Sequence, residues 1–495
     1  MKNKNMVFYI SIFLTLAIAV WSLVFQESFT FVANGIYQVL TKDFGWLYLI
    51  SMTAFVVLAV ILGFGKYGKI VLGPDDAKPE YSTFSWFAML FGAGMGIGLV
   101  FWGIAEPLSH YLNPVAEVEA GTAEAAEFAI RSSFMHWGIH PWANYCIIGL
   151  ALAYFKFRKN KPGLISSLFI PLLGEERVRG WFGKGIDILA IFATVAGVTT
   201  SRGLGVLQIN SGLTNLFHIP SSVGVQILIL IVLSIIYIIV TVIGIDNGMK
   251  KLSDINLYLI IGFLVVAFLV GPKIEMLNNF TNGIGDYIGK FFEDSLMIPA
   301  YQDNTWVENW RIFYWAWWIA WAPFVGSFIA RISRGRTIRE FVLGVVLAPS
   351  LGSILWFTVF GTLGIHVGIK GILPESVLKN IAEFPETGLF TVLEQYPFSK
   401  ILCFVALLLL CTFFITSASS GTFVLSMFSE EGNLNPSNQK KIIWGIVQTV
   451  LAVGLFLAGG MKPLQIISLA AAFPFIFIMI LAAGSLLKAL RQEEI

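Results

Sequence analysis

Apolar runs of about twenty residues, separated by short polar segments, recur along the whole 495-residue chain. A bilayer core ~30 Å thick needs ~20 apolar residues at a helical rise of ~1.5 Å each. The pattern therefore predicts twelve membrane-spanning helices, over 6–25, 46–64, 84–108, 133–155, 185–210, 222–244, 254–271, 310–330, 340–363, 399–425, 441–459 and 464–487. The first run follows Lys2 and Lys4 and continues without a small-residue cleavage site, so it reads as a retained helix and not a removed signal. Between the seventh and eighth spans, 272–306 mixes apolar and polar residues at helical spacing, which predicts an amphipathic helix on the outer surface.

Two spans carry unusual breakers. The third reads FGAGMGIGLVFWG, with glycine at 92, 94, 96 and 98; the eighth reads FYWAWWIAWAPFVGSF and is expected to break at Pro323 and Gly326. Each opens a block of five spans, and an odd number inverts the second block relative to the first. The expected organisation is two N-terminal helices in 1–83, a first block in 84–271, the amphipathic linker in 272–306, a second block in 307–488 and a short tail in 489–495. Unwound backbone at membrane depth is tolerated only where it lines a cavity, so paired interrupted helices point to a transport site.

Composition agrees with the spans. The chain is 57% apolar and 13% charged, against about 25% charged in soluble proteins, which makes it an all-α integral membrane protein. Net charge is +2 and the basic residues sit in loops, so no nucleic-acid surface is suggested. With the N-terminus cytoplasmic, 22 of the 32 Lys and Arg residues fall in inside segments, which orients both termini to the cytoplasm of a cell membrane. Cys146, Cys403 and Cys411 lie in apolar runs without metal-ligand spacing.

The chemistry is carried by aromatic residues. Trp at a span's end is ordinarily a headgroup anchor, a reading that suits Trp306, Trp310 and Trp315 but not Trp317, Trp318 and Trp321, which lie deeper. Trp317 and Trp321 share a helix face, with Trp318 displaced by ~100°. The fourth span has a second cluster, Trp137, Trp142 and Tyr145, with Pro141 expected to break the helix between them. A quaternary ammonium has no N–H to donate and is held by aromatic faces, each contributing roughly 0.5–2 kcal/mol. Several faces are needed, and these clusters supply them. Packing of the helices on one another is the competing reading, for the aromatics as for the glycines.

GMGIGLVFWGIAEP, the W-x4-W-x2-Y of span four, WAWWIAWAPFVG followed by ARISRGRTIRE, and FFITSAS in span ten together resemble the betaine/choline/carnitine transporter family, in order and over essentially the whole chain. The resemblance implies a leucine-transporter-like core of two inverted five-helix repeats, a homotrimer in the bilayer, and secondary transport of a trimethylammonium substrate. It places Trp137, Trp142, Tyr145, Trp317 and Trp318 in an aromatic box, with Trp321 and Phe328 toward the cytoplasmic path. Ala93, Gly94, Met95, Gly96 and Gly98 would present backbone N–H groups to a substrate carboxylate.

The resemblance implies no organic cofactor but a coupling Na⁺, held by Gly92, Met95, Phe413, Thr416 and Ser417. Alone, a Thr-Ser pair more often back-bonds to its own helix. A second Na⁺ site in some members would map to Thr194 and Phe324, but the second threonine position is Val198, with Thr199 beside it. Sodium-independent members carry an arginine and a methionine where this chain has Asn256 and Val325, which favours a Na⁺-driven symporter. The stretch 91–103 has no acidic residue, the first being Glu106, which suits a zwitterion such as glycine betaine above choline or carnitine. Arg202 reads either as a snorkelling anchor or as an outer gate. Two rival classes fit less well. For an enzyme, His136 and His140 have metal-ligand spacing but no acidic residue close by in sequence; a channel would need a continuous polar pore.

Overall fold

The computed structural model describes residues 6–94, 96–458 and 461–493, and among them the architecture is all-helical. Each of the twelve predicted spans contains helix. The main elements are α1 (Met6–Val24), α2 (Gln26–Lys42), α3 (Gly45–Phe64), α4 (Thr83–Gly94), α5 (Gly96–Leu112), α6 (Ala123–Trp137), α7 (Ile139–Ala153) and α8 (Trp181–Phe217). They continue with α9 (Val223–Ile243), α10 (Lys250–Val270), α11 (Lys273–Gly289), α12 (Phe313–Arg331), α13 (Ile338–Ile369), α14 (Ser399–Phe428), α15 (Asn438–Leu457) and α16 (Met461–Leu490). Helix α11 is the amphipathic helix expected in the linker; α2 lies in a stretch to which the hydropathy pattern assigned nothing.

Ten described helices are long and apolar enough to cross a bilayer, and eleven if the bent pair α4 and α5 makes one span. The count of twelve is not reached because the fourth predicted span is two helices, α6 and α7, each of 15 residues. They part at Gly138, with φ −86° and ψ −126°, and not at Pro141. Proline in the first turn of a helix removes no intrahelical hydrogen bond, so Pro141 fits into α7 unopposed. A Cβ at Gly138 would lie 2.5 Å from the Phe134 carbonyl oxygen and 2.8 Å from the Tyr287 hydroxyl. Only glycine leaves room there.

The expected break at Pro323 is likewise absent: α12 runs unbroken to Arg331, with the proline inside it. Lacking an N–H, Pro323 leaves the carbonyl of Ile319 without its backbone donor. The irregularity sits upstream, as a wide π-type turn over Val307–Ile312. The clear bend is in the glycine-rich span, whose two halves lie at 65°.

Burial sorts the helices into centre and periphery. The most apolar stretch of the span containing α12 is 100% buried, against 28% for those of α1, α9 and α10. Helix α9 points Leu228, Ile235 and Ile239 outward, as a lipid-facing helix does. Around α12 the packing is reciprocal. Helix α12 lies on α7 and α5 on α13; α12 also meets α16 as α4 meets α10; α8 meets α16 as α14 meets α10; and α8 packs on α14. Exchanging the two five-span blocks maps each of these contacts onto another or onto itself.

Candidate functional site

Helices α6, α7 and α12 bring the predicted aromatic residues together. Trp137 ends α6, Trp142 and Tyr145 lie in α7, and all are at most 3% exposed, as are Trp317, Trp318 and Trp321. The ring centroids of Trp317 and Trp318 stack at 4.8 Å and 12°. Trp137 meets Trp318 edge to face at 4.9 Å and Trp317 at 6.3 Å. Tyr145 stands at right angles to Trp142, 5.6 Å away, and near-perpendicular to Trp318 at 6.4 Å. Trp321 closes the group, edge-on to Trp317 and Trp318 at 6.2 and 6.3 Å. Edge-to-face geometry of this kind is the preferred arrangement of aromatic quadrupoles.

Two hydrogen bonds fix the cluster's orientation. Trp318 Nε1 donates to the His136 carbonyl at 2.9 Å, and Asn144 Nδ2 donates to the Trp318 carbonyl at 2.9 Å. The Nε1 groups of Trp317 and Trp321 and the Tyr145 hydroxyl are buried without a protein partner. Leaving such donors unpaired costs about 1–3 kcal/mol each, so they are candidates for a ligand acceptor. Trp315, expected at the headgroups, is instead wholly buried and stacked on His140 at 4.8 Å.

The glycine run serves both neighbours of its helices. A Cβ on Gly94 would lie 2.6 Å from Trp142 Cη2, and one on Gly98 2.8 Å from Trp137 Cη2 and 3.3 Å from Trp317 Cη2. One on Gly92 would meet Ser253 Oγ at 2.6 Å, and one on Gly96 would meet Ser417 Cβ at 3.2 Å and the Phe413 carbonyl oxygen at 3.6 Å. Close packing therefore operates at all four. Met95 and the Ala93 side chain lie outside what is described.

Of the residues matched to a coupling ion, Phe413 and Ser417 lie against Gly96, which is matched to the substrate carboxylate, while Gly92 faces Ser253. Thr416 Oγ1 back-bonds to the carbonyls of Phe413 at 3.1 Å and Thr412 at 3.2 Å, and accepts from Asn256 Nδ2 at 3.3 Å. Thr194 and Thr199 share the unbroken α8 but point ~140° apart at 100° per residue. Thr194 donates to the Ala190 carbonyl at 2.8 Å, while the Thr199 hydroxyl is buried without a partner. Phe324 packs on Trp321 at 5.5 Å, and Phe328 is buried one turn before the end of α12.

Arg202 is 1% exposed near the middle of α8. It donates to Tyr237 Oη at 3.0 Å, Thr422 Oγ1 at 3.3 Å and the Ala418 carbonyl at 3.4 Å. The snorkelling reading fails, because the guanidinium is enclosed by α9 and α14.

One buried polar cluster was not foreseen from the sequence. Glu106 is fully buried; its Oε2 accepts from Trp137 Nε1 at 2.7 Å and from the Tyr314 hydroxyl, and its Oε1 lies 2.7 Å from His136 Nδ1. The acidic neighbour that His136 lacks along the chain is thus present in space, while His140 turns to Ser295 Oγ at 2.9 Å. The available signal was Glu106 and His110 at i, i+4 in EPLSH, which shows nothing of the partner helix.

Comparison with known proteins matches residues 6–495 to the family described as BCCT, betaine/carnitine/choline family transporter. The chain is 44% identical to the glycine betaine transporter OpuD of Bacillus subtilis, covering 100% of this chain and 96% of that one. It is also 44% identical to a probable glycine betaine transporter of Desulfitobacterium hafniense, over 100% and 99% of the two chains. An ectoine/hydroxyectoine transporter of Virgibacillus pantothenticus is 42% identical over 99% and 97%. These are membrane transporters and not enzymes, and the full-length match settles membership. The chain belongs to the betaine/carnitine/choline family of transporters.

Proposed function

We propose that the chain imports glycine betaine, or a closely related quaternary ammonium solute, together with Na⁺ by alternating access across the cell membrane, with both termini cytoplasmic. The observation that carries this reading is the convergence of six aromatic side chains from α6, α7 and α12 beside glycines whose missing side chains admit them. A trimethylammonium group is held by such faces through cation–π attraction and methyl contact. The unpartnered donors of Trp317, Trp321 and Tyr145 suit a carboxylate at the other end of the solute, which favours a zwitterion over choline. In this reading the divided α4 and α5 contribute backbone N–H groups of Ala93, Gly94, Met95, Gly96 and Gly98 to that carboxylate. Phe328 lines the release path. The reciprocal packing of the two blocks supports an inverted-repeat core, whose relative rocking would expose the site alternately.

Sodium is cargo in this scheme. By the family resemblance, the Phe413 carbonyl, Thr416 and Ser417 in α14, together with Gly92 and Met95, would supply the hard oxygen ligands. With Val198 in place of a threonine, the Thr194, Thr199 and Phe324 group is the weaker candidate, so one Na⁺ per cycle is the working stoichiometry. One inward charge is worth ~2.3 kcal/mol per 100 mV, or roughly fiftyfold accumulation at that potential. The test is uptake into liposomes of radiolabelled betaine, choline, carnitine and ectoine, with and without an inward Na⁺ gradient. Saturable betaine uptake that follows the gradient is expected. Uptake indifferent to the gradient would remove Na⁺ coupling, and transport of ectoine alone would remove the trimethylammonium substrate.

A further inference from the structure

We propose that Glu106 is the electrostatic backing of the aromatic cage: its carboxylate, bonded to the edge of Trp137, makes that indole a stronger receptor for a cation. The inference rests on the cage reading above and adds a specificity-determining residue outside the binding surface. The indole N–H can only donate, so the 2.7 Å contact from Trp137 Nε1 to Glu106 Oε2 has one possible direction. A donor bonded to an acceptor of high electron density is polarised by it, and hydrogen bonds in low dielectric act strongly on one another. For an indole the shift is into the ring, which deepens the negative face that attracts a cation. Tyr314, the other donor to Oε2, has its ring 5.7 Å from Trp318 and 6.0 Å from Trp317. Both of that oxygen's partners are thus aromatic rings of the cage or packed directly on it.

Oε2 remains the acceptor for both donors whichever of Glu106 Oε1 and His136 Nδ1 holds the proton between them. His136 and His110 approach Oε1 at 2.7 and 3.4 Å. Trp306 stacks on His136 at 5.8 Å, and the buried Arg311 guanidinium lies 5.2 Å from the Trp306 centroid. Glu106, His110 and His136 also form the kind of donor set a divalent cation uses. Two ligands on one tetrahedral zinc, however, stand roughly 3.3 Å apart, and the 2.7 Å between Oε1 and Nδ1 is a hydrogen-bond length. A carboxylate placed inside the cage would repel the carboxylate of a zwitterion. Behind the indole, it acts on the ammonium end through the ring.

The experiment compares affinity for glycine betaine with affinity for 3,3-dimethylbutanoate, its isostere with carbon in place of the quaternary nitrogen. In the purified full-length chain, Glu106→Gln should lower the betaine-to-isostere affinity ratio by about threefold to tenfold, with isostere affinity within about twofold of wild type. An unchanged ratio, or equal loss for both ligands, overturns the proposal. Should Glu106→Gln not fold, Glu106→Asp keeps the carboxyl group but withdraws it from the Trp137 edge by one methylene; a fall in the same ratio is expected, and an unchanged ratio overturns the proposal. A wild-type protein showing no preference for betaine over the isostere would instead overturn the cage itself.

Discussion

At Gly94 and Gly98 the limiting quantity is a few tenths of an ångström. A methyl group at Gly94 would lie under 3.0 Å from an indole carbon of Trp142, and one at Gly98 under 3.0 Å from one of Trp137, so the ring must move. Gly98→Ala should therefore raise the half-saturating betaine concentration at least about tenfold, while Gly224→Ala, whose Cβ meets nothing within 4 Å, should not change it. Equal uptake by both variants would show that the wall tolerates displacement. By the same logic Trp317→Leu and Trp318→Leu should each cost about tenfold or more in transport efficiency, since in the proposed cage each supplies a desolvated cation–π face. Trp306→Leu, which alters a half-buried ring packed on His110 at 5.0 Å, should cost far less. The aromatic positions were legible in the sequence because residue type and depth along a span can be read directly. Glu106 was not, because its meaning lies in the bond to Trp137, 31 positions away, and nothing along one chain announces such a pairing.

Helix continuity is settled between elements and not within them. Proline in a helix interior costs ~3 kcal/mol, and taken alone Pro323 predicts a break. Helix α12 stays whole because it is packed on every side, above all along α7, where a Cβ on Gly326 would lie 3.0 Å from the Gly149 backbone nitrogen. Gly326→Val should therefore force the two helices apart at a cost of about 1–3 kcal/mol. The expected readout is loss of uptake together with a lower melting temperature in detergent; a variant with wild-type melting and transport would show that the contact is slack. The division of the fourth span at Gly138 was hidden for a related reason. Proline is conspicuous in a sequence, whereas a glycine acts as a breaker only when its neighbours, here Phe134 and Tyr287, leave no space for a side chain.

Across the molecule, the chain's end is tied to its loops. Glu493 accepts from Tyr154 Oη at 2.6 Å and pairs with Arg158 at 2.9 Å and Lys159 at 2.6 Å, while Arg158 also reaches Asp75 at 2.8 Å. Burial alone would raise the Glu493 carboxyl, but the bonds from Arg158, Lys159 and Tyr154 outweigh it and hold the group down to about 2, from an ordinary 4.5. A carboxylate depressed in the folded state stabilises it fully above the ordinary value and loses that contribution as pH falls toward the folded one. Glu493→Gln should thus melt below wild type at neutral pH, with the gap closing as pH falls from about 4.5 to about 2. A gap independent of pH would assign the effect to packing.

Hydropathy alone determined that the chain spans a membrane and where most of its spanning helices fall, because lipid imposes a single-chain requirement of length and apolarity on each helix. Tertiary structure decided which helix is central, where the breaks lie, that Arg202 is enclosed and that Glu106 is buried at the edge of the Trp137 indole. Those outcomes depend on which surfaces meet, and contacts between residues far apart in sequence leave no periodic trace along the chain.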